Sequence, residues 1–546
     1  IKPMLLTTLK SYDRSQFVKD VTAGIIVAII ALPLSIALAL ASGVGPQAGI
    51  FTAIVAGFVI SAFGGSNVQI AGPTAAFATI VAGIVAKDGL DGLVISTILA
   101  GIFLILMGLC HFGSLIKFIP YTITTGFTSG IAVTIVIGQL KDFFGVTYPN
   151  GLKPIETMEK LNAFALGFSS FHVDALIVGG VSLAILIISP YIFKRIPGSL
   201  IAVVIGILMV KFLPLHVSTI GNLYTITNDL PSFHIPAAKF SMVKSAIPNA
   251  FTIAVLAAIE SLLSCVVADG MINGKHRSDT ELVAQGLGNI ASALFGGIPA
   301  TGAIARTAAN IKNGGRTPVA GMVHAIVLLL VLVVLMPYAA LIPMPTIAAI
   351  LFMVAYNMCQ WRTFVHLVKT APKSDIIVLV LTFALTVIFD LVVAIEIGMI
   401  LACLLLLRRM SEESEVKSWK YIEDENDPDS IMLRKVPKHV RVYEISGPMF
   451  FGAADRIATI SVKDFTRCLV IRMRAVNALD ATAMHSLEEL YDKLSKKHIA
   501  VVFSHVNEQP MHVMQKAGFV EKVGSENFCA HIDEALERAA GFDSND

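Results

Sequence analysis

Long apolar runs occupy residues 20–409 of this 546-residue chain and restrict the folds open to it. Of all residues, 55% are hydrophobic and only 15% are charged, and the mean hydropathy of +0.76 lies well outside the range of soluble domains. A membrane-spanning helix needs roughly 20 apolar residues, or fewer where it ends at a site inside the bilayer. The pattern therefore predicts an all-α polytopic membrane domain of about fourteen segments, at residues 20–41, 48–64, 73–86, 92–111, 118–140, 174–193, 199–213, 247–268, 282–296, 301–311, 318–336, 345–359, 375–390 and 392–407.

The charge density changes sharply near Arg408 and Arg409, after which Glu, Asp, Lys and Arg become frequent. This change predicts a domain boundary. The expected organisation is an N-terminal segment, a transmembrane domain, a linker and a small soluble domain, at residues 1–19, 20–409, 410–437 and 438–546.

The distribution of Lys and Arg among the short loops predicts the orientation. If the N-terminus is cytoplasmic, ten basic residues between Lys117 and Lys373 fall in internal loops, whereas residues 42–48, 297–300 and 337–344 carry none. The first apolar run has no small-residue cleavage site after it, so we expect a retained span. Both termini are expected to be cytoplasmic, in a bacterial inner (plasma) membrane.

The membrane domain resembles itself at an offset of about 220–230 residues. The glycine-rich and proline-containing stretch at residues 64–76 is similar to residues 296–303, and residues 118–121 are similar to residues 341–344. Because each unit contains seven spans, an odd number, the second copy must enter the membrane from the opposite face. This predicts a 7+7 inverted repeat whose short third and tenth segments are half-helices that mark the binding site.

Glu260 lies inside the apolar run 250–268, and a carboxylate at the bilayer centre costs on the order of 2.5–3.5 kcal/mol. Two half-helix N-termini each present about half a positive charge and free N–H groups, and Arg306 adds a further charge. These groups predict a site for a small anion, with Glu260 as the proton-coupling residue. The alternative for Glu260 is a structural ion pair with Arg306.

The candidate substrate-binding residues are those at the two breaks and on the tenth segment: Gln69, Thr74, Ala75, Gly302, Ala303, Ile304 and Arg306. Glu260 and Ser264 are the candidate coupling residues, and Ser35 and Thr301 are further possible pocket groups. Each Ser or Thr alone is weak evidence, because these residues also pack helices in membranes.

Several other functions find no support in the sequence. Six cysteines are scattered without CxxC spacing, so neither a metal site nor a disulfide framework is expected. The net charge of +2 and the lack of a basic-aromatic patch argue against nucleic acid. We expect neither an enzyme nor a cofactor, since no catalytic triad or phosphate loop is evident in the charged tail.

The tail alternates strand and helix signals, with strand-like runs at residues 439–445, 468–473 and 499–504 and amphipathic stretches between them. This pattern predicts a small α/β domain with a sheet covered by helices. Asp480 or Thr482 is expected to cap a helix.

Four motifs in the membrane domain resemble the SulP, or sulfate permease, family: ALPLSIA at residues 31–37, QIAGPTAA at 69–76, ESLLS at 260–264 and QGLGN at 285–289. In the tail, MFFGA at residues 449–453 and ALDAT at 478–482 are similar to STAS-domain signatures. The resemblance implies a core of spans one to four and eight to eleven, a gate of the remaining spans, and a cytoplasmic STAS domain. It also implies a homodimer and an elevator-like movement of the core. Thr482 falls where related anti-sigma antagonists carry a phosphorylatable hydroxyl, so it is a possible regulatory residue.

The family resemblance leaves the coupling ion open. Sodium-coupled bicarbonate carriers of the family have Asp where this chain has Glu260, and Thr where it has Ile304. Members closer at Glu260 move sulfate or dicarboxylates with protons. The expected function is secondary active transport of a small oxyanion, with sulfate favoured and proton coupling through Glu260. The alternatives are sodium-coupled bicarbonate transport, an uncoupled anion exchanger or channel, and proton-coupled dicarboxylate transport.

Overall fold

The computed structural model describes residues 2–194, 196–389, 391–418 and 427–543. The chain divides into two compact units, one ending at Met399 and the other starting at Ile400. The first unit is helical and apolar, and the second contains a five-stranded sheet.

Helices of the first repeat match the first seven predicted segments. In chain order they are α1 (Met4–Thr8), α2 (Arg14–Ala41), α3 (Pro46–Phe63), α4 (Ala75–Leu109), α5 (Tyr121–Phe144), α6 (Thr157–Gly167), α7 (Val173–Ile192) and α8 (Gly198–Phe212). Helix α4 comprises the predicted third and fourth segments. They meet at Gly89, whose φ of 72° is left-handed and breaks the helix without the penalty that a Cβ would add.

The second repeat follows the same order. Its helices are α9 (Ile220–Leu223), α10 (Phe240–Ile272), α11 (Ser278–Leu294), α12 (Ile304–Lys312), α13 (Pro318–Leu335), α14 (Met344–Cys359), α15 (Trp361–Thr370), α16 (Lys373–Ile388) and α17 (Leu391–Glu413). Among the described residues, eight helices are long and apolar enough to cross a membrane by themselves. The prediction of a polytopic helical domain built from two similar halves is confirmed. The short amphipathic helices α6 and α15, which we did not predict, occupy equivalent places in the two halves.

The broken stretches of the two repeats meet through a two-stranded antiparallel sheet. Strand β1 (Ala71–Gly72) pairs with β2 (Thr301–Gly302), so that Ala71 lies opposite Gly302 and Gly72 opposite Thr301. Each strand directly precedes a half-helix, α4 or α12. The antiparallel pairing is the arrangement expected of an inverted repeat.

Close helix contacts depend on residues without side chains. A Cβ built on Gly101 of α4 would lie 2.6 Å from the carbonyl oxygen of Gly286 on α11, and a Cβ on Gly286 would lie 2.5 Å from that of Gly101. The two backbones therefore touch directly, as is common where small residues line helix interfaces in membranes.

The second unit is an α/β domain with strand order β3-β4-β5-β6-β7. Its strands are β3 (Glu415–Ser418), β4 (Val440–Ser446), β5 (Cys468–Ala475), β6 (Ala500–Ser504) and β7 (Phe528–Cys529). Strand β3 runs antiparallel to β4, and the other neighbours are parallel. Helices α18 (Ala481–Ser495), α19 (Glu508–Lys516), α20 (Phe519–Val523) and α21 (Ile532–Ala540) complete the fold.

Both faces of this sheet are buried, which explains the continuous apolar runs of β5 and β6. Leu469, Ile471 and Phe503 face one hydrophobic cluster, whereas Val470 and Val502 face another that includes α21. The predicted α/β domain and its three strands are confirmed. Strand β3 forms the sheet edge from residues within the segment that we expected to be a linker.

Candidate functional site

Two helix N-termini meet at the small sheet formed by β1 and β2. Helix α4 begins after Thr74, whose hydroxyl accepts a hydrogen bond from the N–H of Ala76 at 3.3 Å. Helix α12 begins after Ala303, whose N–H donates to the carbonyl oxygen of Ile70 at 2.8 Å. The first N–H groups of a helix lack intrahelical acceptors, so both ends present donors and positive potential to the same region. Ala75 and Ile304 are the first residues of these helices.

The first broken stretch is held by polar side chains from the second repeat. Glu281, only 1% exposed, accepts hydrogen bonds from the backbone N–H groups of Gly65 at 2.8 Å and Ser66 at 3.2 Å. Thr307 accepts from the N–H of Ile70 at 3.0 Å, and Asn310 donates to the carbonyl of Val68 at 2.9 Å. These bonds satisfy backbone groups that have no helical partner, which non-helical backbone at membrane depth requires.

The second broken stretch is held in the same way. Asn289 of α11 accepts from the N–H of Ala300 and donates to its carbonyl oxygen, both at 2.9 Å. Thr52 accepts from the N–H of Ile298 at 2.8 Å, and Ser292 donates to the carbonyl of the same residue at 2.7 Å. One residue of the polar motif 285–289, Asn289, thus holds the backbone that leads into β2.

Glu260 lies beside the start of the first half-helix. Its carboxylate accepts a hydrogen bond from the hydroxyl of Thr74 at 3.2 Å, and its side chain is partly exposed. One turn earlier on α10, the carbonyl of Ala257 accepts from the hydroxyl of Thr301 at 3.1 Å. Helix α10 therefore touches both half-helix starts and places its carboxylate at one of them.

Arg306 on α12 is almost completely buried, at 1% exposure. Its Nη2 donates to the carbonyl oxygen of Pro73 at 3.0 Å, whereas its Nε and Nη1 have no acceptor within the part of the chain that the structure describes. A Cβ on Gly72 would lie 2.4 Å from Nη1, so the guanidinium occupies the space that this glycine leaves. Arg306 and Glu260 are both described residues, and no ion pair within 4.0 Å joins them. The alternative of a structural ion pair is therefore not seen in this structure.

The side chain of Gln69 is engaged by protein groups. Its Nε2 donates to Glu281 at 2.7 Å and its Oε1 accepts from the thiol of Cys265 at 3.0 Å. A Cβ on Gly302 would lie 2.2 Å from Nε2, so this glycine also makes room for the amide. Gln69 thereby connects the first broken stretch to the second.

The remaining candidates lie around these groups. The hydroxyls of Ser264 and Thr307 are 3.5 Å apart, which places Ser264 on the α10 face that contacts α12. Ser35 is fully buried on α2, and its hydroxyl has no hydrogen-bond partner among the described residues. Ile304 is 44% exposed, so the second half-helix presents an apolar side chain where a hydroxyl would offer a ligand.

Sequence reasoning missed Glu281, which joins α11 to the first broken stretch. The predicted ninth segment began at residue 282, which left Glu281 in a loop, whereas α11 begins at Ser278. A usable signal was present, because Glu281, Gln285 and Asn289 recur every four residues and so share one face of a helix.

In the second unit, Asp480 caps α18. Its carboxylate accepts from the N–H of Ala483 at 2.8 Å and from the N–H of Phe451 at 2.8 Å. Thr482 is exposed in the first turn of α18. The predicted cap is therefore Asp480.

Comparison with known proteins identifies the family. The model of the sulfate permease family matches residues 17–382, and the model of the STAS domain matches residues 431–535. The chain belongs to the sulfate permease family. The putative sulfate transporter YvdB of Bacillus subtilis (strain 168) is 38% identical over 534 residues, which cover 96% of this chain and 98% of that protein.

Other members carry different names. The bicarbonate transporter BicA of Picosynechococcus sp. is 32% identical over 540 residues, covering 95% of this chain and 94% of that protein. The structure of the murine Slc26a9 anion transporter in the inward-facing state covers 98% of this chain and 94% of its own with a TM-score of 0.88, and at 18% identity it shows the fold alone. The transmembrane domain of a cyanobacterial BicA gives a TM-score of 0.62 at 30% identity over 72% of this chain and 98% of its own.

Proposed function

We propose that this sulfate permease family member is a secondary active transporter that moves sulfate together with protons. The observation that carries the proposal is the meeting of two helix N-termini. A buried Arg306 lies on one helix, and the carboxylate of Glu260 is hydrogen-bonded to Thr74, the N-cap of the other. The proposed anion site and a titratable group would thereby be adjacent.

The anion would bind between the two helix starts. Each start contributes about half a positive charge, and Arg306 contributes one more, so the positive field amounts to about two units. The N–H groups at the starts of α4 and α12 and the hydroxyl of Thr74 would serve as donors to sulfate oxygens. Arg306 would act through its field, because its guanidinium is buried against Gly72 and Pro73.

Coupling would follow from the charge of Glu260. While ionised, it cancels about one unit of the positive field and accepts the hydroxyl of Thr74, so that this donor is lost to the anion. Protonation removes the negative charge and releases the hydroxyl. Sulfate and a proton would therefore bind cooperatively, with each raising the affinity for the other.

The movement proposed is an elevator in which α2, α3, α4, α10, α11, α12 and α13 form the core. All of the site groups lie on these elements or on the two broken stretches. The gate would comprise α5, α7, α8, α14, α16 and α17. Because the site is built from core elements alone, displacement of the core would carry the anion with it. We further propose that both termini are cytoplasmic and that the protein is a homodimer.

Sodium-coupled bicarbonate transport is the second candidate, because relatives at 32% identity are named bicarbonate transporters. A sodium ion needs several oxygen ligands, and here α12 begins with Ile304. The hydroxyls of Ser264 on α10 and Thr307 on α12 are within hydrogen-bond reach of each other. This chemistry favours a proton over sodium.

The test is uptake of labelled sulfate by proteoliposomes under an imposed inward proton gradient, beside an inward sodium gradient and competition by bicarbonate. We expect the proton gradient alone to drive accumulation, and Glu260→Gln to abolish the acceleration by protons. Glu396→Gln is the matched control, because Glu396 is exposed on α17. Uptake that follows sodium, or unchanged proton dependence in Glu260→Gln, would refute proton coupling through this residue.

A further inference from the structure

A cavity of about 390 Å³ lies in the first unit, away from the broken stretches. One wall is formed by α4 and α10, which belong to the proposed core. The opposite wall is formed by α5, α6 and α16. The cavity therefore separates the two bodies that would move relative to each other.

The cavity and the proposed anion site are lined by residues of the same two helices, α4 and α10. Thr252 lines it on α10, eight residues before Glu260, and Thr79 lines it on α4, five residues after Thr74. At 1.5 Å per residue these offsets correspond to about 12 Å along α10 and about 7.5 Å along α4. An anion in the cavity would thus lie about two turns from Glu260 along α10 and about one and a half turns from Thr74 along α4.

Lys160 of α6 supplies a cation to the cavity. Its side chain is partly buried, and its Nζ lies 4.0 Å from the position that a Cβ would take on Gly138 of α5. Among the described residues, Nζ has neither a hydrogen-bond acceptor nor a carboxylate within 4.0 Å. Burial lowers the pKa of this ammonium, because lost hydration is not replaced by a protein partner.

The other charged groups of the cavity do not neutralise Lys160. Glu156 is exposed and caps α6 by accepting the N–H of Glu159, and Asp88 is exposed at the end of the first part of α4. Lys87 is likewise exposed. Exposed charges of this kind are screened by water and salt, whereas the partly buried ammonium keeps more of its field.

The polar groups of the cavity define what it can hold. The hydroxyls of Thr134, Thr252 and Thr386 each donate to a carbonyl of their own helix, at 2.7, 3.0 and 2.7 Å, so they offer only lone pairs. The donors left for a ligand are the ammonium groups of Lys160 and the exposed Lys87, the amide of Asn249 and the hydroxyls of Thr79 and Thr157. These donors match an oxyanion.

We propose that this cavity is a second oxyanion site, with Lys160 as its binding cation, from which sulfate passes to the two helix N-termini. This inference rests on the proposed transport of an oxyanion. With the N-terminus cytoplasmic, the cavity lies on the outer side, so Lys160 would raise the anion concentration at the external entrance. Its loss should raise the external KM for sulfate several-fold and leave the internal KM unchanged.

The direct test measures protection of a cysteine placed in the cavity. Thr157→Cys at the start of α6 is reacted with a membrane-impermeant cationic methanethiosulfonate, with sulfate or with gluconate at matched ionic strength. The protein without Thr157→Cys gives the background from the native cysteines. We expect sulfate to slow the reaction several-fold, Lys160→Gln to remove this protection, and Lys160→Arg to retain it.

Lys153→Gln is the matched control, since Lys153 is exposed on the same connection and does not line the cavity. It should leave the protection unchanged. Absence of protection, or equal protection in Lys160→Gln, would overturn the proposal. The same assay in Glu260→Gln separates the two hypotheses, because protection there is expected to persist even if proton coupling is lost or was never present.

Discussion

Two carboxylates, Glu260 and Glu281, lie within apolar helices but have opposite surroundings. Glu281 is 1% exposed and accepts four hydrogen bonds, from two backbone N–H groups and from the amides of Gln69 and Gln285. Glu260 is partly exposed and, within the described part of the chain, accepts one, from Thr74. A fully bonded carboxylate is suited to hold structure, whereas a carboxylate with a single partner can gain and lose a proton.

This difference predicts distinct effects for the same substitution. Glu281→Gln places an amide N–H₂ against other donors and leaves buried polar groups unpaired. Each unpaired group lowers the free energy of unfolding by about 1–3 kcal/mol. We expect a lower Tm in detergent and reduced transport. Glu260→Gln should change the Tm little and abolish proton dependence. Thermal unfolding and uptake of both variants check this, and equal Tm values for Glu281→Gln and the native protein would contradict it.

Gly72 is required by the guanidinium of Arg306. A Cβ there would lie 2.4 Å from Nη1, below any normal contact, so Gly72→Ala must displace Arg306 or separate β1 from α3. We expect a strong loss of sulfate uptake and a lower Tm. Gly180→Ala is the control, because no atom of the described residues lies within 4 Å of the position that a Cβ would take there on α7. Native-like uptake by Gly72→Ala would show that the position of Arg306 is not critical.

At the level of secondary-structure elements, the half-helices could be predicted because Gly and Pro break two apolar segments at matching places. Their pairing as β1 and β2 follows from the inverted repeat. Helices α6 and α15 were missed because both are amphipathic and lie in connections, where hydropathy gives no span. The start of α11 was misplaced by the polar residues 278–281, since hydropathy alone cannot distinguish a buried polar turn from a loop.

In the sheet domain, the start of α18 depends on its capping residue, for which the sequence offered both Asp480 and Thr482. Asp480 caps α18 and also accepts the N–H of Phe451, so it joins the helix start to the loop after β4. Asp480→Ala should destabilise this domain by about 1–2 kcal/mol. Hydrogen exchange on the full-length protein should be faster across α18, whereas Thr482→Ala should leave it unchanged. Equal exchange in both variants would contradict the assignment of the cap.

For the whole molecule, the fold follows from hydropathy, loop charge and repeat, but the chemistry depends on contacts between distant segments. The thiol of Cys265 meets Gln69, and Asn310 meets Val68, across about 200 and about 240 residues of sequence. Such contacts are not encoded in local periodicity. They determine that Gln69 and the first broken stretch are held by protein groups.

The most direct measurement of the central claim is proton movement caused by sulfate. Proteoliposomes containing a trapped pH indicator receive external sulfate with no initial pH gradient. We predict internal acidification with the native protein and with Glu396→Gln, and none with Glu260→Gln. Sulfate entry without acidification in the native protein, or the same acidification in Glu260→Gln, would contradict proton-coupled transport through Glu260.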